Sequence, residues 1–141
     1  MTILYPAGYR RDWIDRNAVS VCKAYENLGL APHGMTLRWT YTVTAGKKAI
    51  LTYLFASLTR MTVAAPVGQA IVYISAIING TGINPFSLPM MSNVVGENRQ
   101  IVIPQCFLMY GADQISAYTF DTSTGGQCAY SVSAQFIEFD P

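Results

Sequence analysis

The stretch from Met35 to Thr44 constrains the fold more than any other part of the chain. Met35, Leu37, Trp39, Tyr41 and Val43 alternate there without a break with Thr36, Arg38, Thr40, Thr42 and Thr44. Successive side chains of a strand point to opposite faces, so this period of two predicts a strand buried on one face and wet on the other. It ends at Ala45-Gly46-Lys47-Lys48. Gly46 can take the positive φ that a tight turn needs, and a second strand is predicted from Ala49 to Leu58.

In that second strand Ile50, Leu51, Tyr53, Leu54, Phe55 and Leu58 are apolar on both faces, as are most residues from Ala70 to Ile78. Strands of this kind must be covered on both sides. Asn79-Gly80-Thr81-Gly82 marks a turn, and residues 84–91, which include Pro85 and Pro89, read as a loop. Further β segments are predicted near Gln100–Tyr110, Gln114–Phe120 and Gln127–Phe139. The last alternates through Cys128, Tyr130, Val132, Ala134 and Phe136 and changes phase at Ile137, which predicts a bulge. About eight short strands with Gly, Pro and Asn turns and no βαβ unit predict an all-β fold, an antiparallel sandwich or barrel.

Residues 1–34 differ in character from the rest of the chain. They carry Arg10, Arg11, Asp12, Asp15, Arg16, Lys23 and Glu26 among Pro6, Gly8, Gly29, Pro32 and Gly34, and read as an extended N-terminal arm ahead of a sandwich domain of residues 35–141. Within the arm, Ala18, Val21, Cys22, Tyr25 and Leu28 fit a short helix capped by Asp15 and stopped by Gly29; an extended path suits the same residues. Arg10, Arg11, Trp13 and Arg16 are the arm's candidate partner contacts. Arginines beside a tryptophan can grip nucleic acid, but Asp12 and Asp15 lie among them and favour salt-bridged docking onto protein.

A chain of 141 residues can bury the core of one domain. Charged residues make up only 12% of it, against roughly a quarter in average soluble domains. A net charge of +1 leaves no field to steer the chain to nucleic acid or an anionic membrane. The N-terminus lacks the continuous apolar run of a secretory signal, and Ala70–Ile78 is too short to span a membrane, so synthesis in a cytosol is expected. From Met61 to Gly96 there is no charged residue and no histidine. Part of this stretch is accounted for as core strand. The apolar residues on its predicted loop, Phe86, Leu88, Met90 and Met91, are instead expected to be covered by a neighbouring subunit.

Chemistry-bearing residues do not assemble into a motif. His33 is the only histidine, and Pro32 and Gly34 flank it, so triads and multi-histidine metal sites have nothing to build on. Cys22, Cys106 and Cys128 follow no metal or disulfide spacing and read as buried free thiols. Gly46-Lys47 lacks the glycine and hydroxyl residue of a phosphate loop, since Tyr41 and Lys48 stand in those places. Glu138 and Asp140 read as solvated terminal charges, and Asp113 and Asp121 as turn residues bonded to nearby amides. Asn79-Gly80-Thr81 matches a glycosylation acceptor but reads as a turn. Trp39 and Tyr41 share a face with Leu37 and Val43 and read as core, not as a sugar platform. No enzyme, cofactor or metal is expected.

The run Arg38-Trp39-Thr40-Tyr41-Thr42-Val43-Thr44-Ala45-Gly46-Lys47-Lys48-Ala49-Ile50-Leu51 resembles the opening strand and turn of small virion proteins of tailed bacteriophages, which often carry Tyr-x-Val-Pro-Ala-Gly-Lys. Thr44 replaces the proline of that pattern. Gly111-Ala112-Asp113-Gln114-Ile115, followed by a Gly-Gly turn and the final alternating strand, resembles the second half of the same jelly-roll pattern. Together these cover residues 36–139. The resemblance implies a jelly roll displayed in many copies on a virion, among capsid decoration, cement and fibre-type proteins. The expected function is a decoration or cement protein on the capsid surface. It would be made in the host cytoplasm, self-associate, with a trimer as the first expectation, and dock on the major capsid protein. The alternative is a receptor- or carbohydrate-binding module of a tail or fibre, with Tyr110, Tyr118 or Phe86 stacking on sugar.

Overall fold

The computed structural model describes residues 18–27, 34–62, 70–90, 94–103, 107–121 and 127–141. These form nine strands: β1 Val19–Asn27, β2 Gly34–Thr42, β3 Lys48–Thr62, β4 Ala70–Ile78, β5 Thr81–Met90, β6 Asn98–Ile103, β7 Phe107–Tyr110, β8 Gln114–Asp121 and β9 Gln127–Phe139. One sheet has the order β1-β9-β3-β6, with β7 also paired to β3; the other has the order β2-β8-β4-β5. All pairings are antiparallel. The first strand pairs with the last, the second with the last but one, and β4 with β5. This is a long ribbon folded over itself, the strand order of a jelly roll. The predicted all-β sandwich is present.

The structure departs from the sequence-based expectation at three elements. Over the described residues 18–27 it takes the extended path: Val19–Asn27 pairs along its whole length, from Asn27↔Tyr130 through Val19↔Glu138, with no helix among these residues. The predicted loop at 84–91 is strand as far as Met90, because Pro85 and Pro89 lie on β5 at the edge of its sheet, where a missing N–H breaks no ladder. The phase change at Ile137 is not a bulge in β9, which pairs with β1 without interruption. The irregularity lies opposite, between Leu51 and Tyr53 of β3, where Thr52 donates from Oγ1 to the Gln135 carbonyl at 3.1 Å. Beyond this point the outer face is covered too: Ile50, Ile137 and Phe139 form a small second core with Ala18 and Leu108.

The main core lies between the sheets. Phe136 stacks on Tyr41 at 3.9 Å between ring centroids and meets the edge of Trp39 at 6.5 Å. The Trp39 indole N–H donates to the Val132 carbonyl across the sandwich at 3.2 Å. Leu54, Ala56, Leu58, Val72, Ile74, Ile115 and Ala117 fill the remainder.

Two buried carboxylates fasten one end. Asp113 accepts from the amides of Asn79 and Tyr110, each at 2.9 Å, while its backbone carbonyl accepts from Val43 at 3.0 Å, so one residue ties together three turns. Two of these turns approach closely: a Cβ on Gly111 would stand 3.0 Å from the Gly46 nitrogen. Glu138, expected to be solvated, is buried on the core side of β9 and accepts from the Tyr41 hydroxyl at 2.9 Å and the Thr44 amide at 3.1 Å. Burial by itself would raise the Glu138 pKa. The Thr44 and Tyr41 hydrogen bonds and the Lys47 charge outweigh it, and the carboxyl titrates below its ordinary 4.5. Tyr41 is pushed far above the usual phenol range, first by burial and then by its bond to Glu138, so it remains a neutral donor.

Phe136→Ala empties a stacked, fully buried site and should cost about 3–5 kcal/mol in urea denaturation. Because the folded pKa of Glu138 lies below its unfolded one, its stabilisation is present above the unfolded pKa and fades as the pH falls through the folded pKa. Tyr41→Phe removes a donor to a charged group and should cost about 1.5–3 kcal/mol at neutral pH. It should also shrink the loss of stability across the acid range, because the folded pKa of Glu138 then moves up toward the unfolded one, and Glu138→Gln should lose this component of the pH dependence altogether; denaturation series across the acid range check both.

Candidate interaction surface

Of the residues expected to meet a partner, Arg10, Arg11, Trp13, Arg16 and Met91 lie outside the described residues. Met90 closes β5 opposite Ala70. Phe86 and Leu88 sit in the rows Trp39↔Ala117↔Ile74↔Phe86 and Thr36↔Thr119↔Val72↔Leu88 and pack, half-buried, against the main core. On a loop they would have needed cover from outside. On an inward-turned edge strand the chain's own core supplies much of it.

The opposite side of the same sheet presents a surface that the alternation of residues does not reveal. Pairing runs Met35↔Phe120↔Ile71↔Pro89 across all four strands, and two residues along, Leu37↔Tyr118↔Tyr73↔Ser87. Met35 and Leu37 are 61% and 51% exposed. The Tyr73 and Tyr118 rings lean on each other at 6.0 Å in the middle of the face. Further along come Thr40 and Ser116, whose hydroxyls bond each other at 2.8 Å, then Ser75, Thr42, Gln114 and the exposed Ile77. No described residue on this face is charged.

A bulge in β2 creates this surface. Unbroken alternation would bury Met35 and Leu37 with Trp39, but the register to β8 shifts between Leu37 and Trp39, leaving Arg38 as the extra residue. Arg38 then turns inward: its Nε donates to Thr119 Oγ1 at 2.8 Å, and its guanidinium lies 4.3 Å from the centre of the Tyr25 ring. Keeping this cation between the sheets puts two large apolar side chains outside. An arginine on the nominally wet face of a strongly apolar strand was the available signal.

The outer face of the other sheet holds a shallow groove of about 380 Å³ lined by Cys22, Lys23, Ala24, Tyr53, Ser133, Ala134 and Gln135. Cys22 is exposed there, contrary to the expected burial, while Cys128 is buried as expected; Cys106 and His33 lie outside the described residues. Among the described residues no cluster of His, Cys, Asp and Glu could hold a metal ion. The three aromatics considered for sugar stacking do not converge. Phe86 faces the core, Tyr118 lies on the outer face of the same sheet, and Tyr110 ends β7 in the other sheet with Lys48 Nζ 5.7 Å from its ring centre.

No family model and no curated protein matches the chain. It is similar to solved structures of infectious bursal disease virus. These include the Gx strain, at 8% identity and a TM-score of 0.43 over 87% of this chain and 32% of that one. The VP2 subviral particle matches at 8% and 0.43 over 88% and 33%, and the T13 viral particle at 9% and 0.39 over 88% and 31%. The chain therefore spans about a third of the length of the chains it matches. The strand order β1-β9-β3-β6 facing β2-β8-β4-β5 is that of a jelly roll.

Proposed function

We propose that this chain is a structural subunit of a virus particle, a capsid decoration or cement protein that stabilises a shell by associating with itself and with the major shell protein. The observation that carries this reading is the uncharged outer face of the β2-β8-β4-β5 sheet, with its two rows of apolar and aromatic side chains. A soluble monomer rarely leaves so large an apolar patch open, and a subunit assembled once for the life of a particle need not keep it wet. The jelly-roll strand order and the resemblance of residues 36–139 to phage virion proteins support the same reading. Fold alone would not, since jelly rolls also serve as lectins and cupins.

The test is made on virus particles purified from a source that produces the chain. Immunogold labelling and quantitative mass spectrometry should find it on the shells in a fixed ratio to the major shell protein, and shells stripped of it should melt at lower temperature. Recovery of the chain only in the particle-free fraction would contradict the proposal.

A further inference from the structure

We infer that the outer face of the β2-β8-β4-β5 sheet is the docking site for a second copy of this chain, packed face to face about a two-fold axis parallel to the strands. This rests on the proposed role as a shell subunit and names the surface and partner that such a subunit uses.

Charge, symmetry and area point to a second copy. A partner of different sequence is normally selected by charges or by buried polar groups that need matching. This face offers no charge; its hydroxyls Thr40 and Ser116 bond each other, and its polar Ser75, Thr42 and Gln114 lie together at the end away from Met35 and Phe120. It is therefore complementary in charge to a surface like itself. An axis along the strands sets each row against the same row in reverse order, apolar half on apolar half. Ile71 of one copy then opposes the partner's Phe120, and Tyr73 opposes the partner's Tyr118, which is the aligned packing that twisted sheets favour. With strands about 4.8 Å apart and about 3.3 Å of rise per residue, the face measures roughly 19 by 27 Å. Two such faces bury on the order of 1,000 Å², the size at which a specific interface becomes stable enough to matter.

The experiment is sedimentation of the full chain over a wide concentration range, with charge variants in the two opposed rows. The wild type should form dimers or larger even-numbered assemblies. Ile71→Lys and Phe120→Glu should each weaken association by about 100-fold or more, because each would bury an unpaired charge. Mixing the two variants should restore it, since lysine and glutamate then oppose each other across the axis. Near-UV circular dichroism and melting temperature establish that each variant is folded. Should a central variant not fold, the exposed rim pair Leu37→Lys and Ser87→Glu, which the same axis brings together, carries the same test. A wild type that stays monomeric, variants that associate as the wild type does, or a mixture no better than its components would each overturn the inference. None of these outcomes removes the chain from virus particles, so loss of this interface and loss of the structural role are read separately.

Discussion

The antiparallel pair of β3 and β9 is the interaction on which the rest of this sandwich depends. These are the longest strands, Lys48–Thr62 and Gln127–Phe139, and they pair from Lys48↔Phe139 to Thr62↔Gln127. β1 is held to the sheet through β9, and β6 and β7 through β3. Leu54, Ala56, Leu58, Val132, Ala134 and Phe136 on the inner side of this pair are the floor on which the second sheet rests. Its strands meet across a long loop of chain, so its closure entropy is recovered only when the inner face is covered. The cross-sandwich bonds from Trp39 to Val132 and from Tyr41 to Glu138 both end on β9, so one strand sets where β2 can lie.

That placement has a cost that falls on the surface. β2 must bring Trp39 and Tyr41 over Phe136 while keeping Arg38 between the sheets beside Thr119 and Tyr25. The bulge at Arg38 meets both demands and sends Met35 and Leu37 out to join Phe120, Ile71 and Pro89. An apolar outer face is thus a geometric consequence of how the interior is arranged. In a chain with so few charges, no lysine or glutamate interrupts it.

The legible parts of the fold were those with an unbroken alternation or a short continuous apolar run bounded by turn residues. The strand after Met35, the two-faced apolar strands and the last alternating strand could be read directly, as could the turns at Gly46 and at Asn79-Gly80, where φ is positive. β1 could not be decided, because Val21 and Tyr25 are four residues apart and that spacing suits a helix and a strand alike. β5 was hidden by Pro85 and Pro89, which mark loops unless an edge position is known. Glu138 looked like terminal charge because its partners Tyr41 and Thr44 lie almost the whole sandwich domain away in sequence. The candidate surface was the least legible feature. The uncharged stretch from Met61 directed attention to Phe86, Leu88, Met90 and Met91 and not to Ile71 and Tyr73, and the side on which Met35 and Leu37 emerge depends on a single bulge that alternation conceals.

Methionine oxidation reports most directly whether a second copy covers that surface. Met35 lies at the edge of the uncharged face, while Met61, also exposed, lies on β3 in the other sheet and serves as an internal reference. In the purified chain, the peroxide oxidation rate of Met35 relative to Met61 should fall as concentration rises. A ratio that stays constant while sedimentation shows the same solutions passing from monomer to assembly would mean that no second copy covers the face.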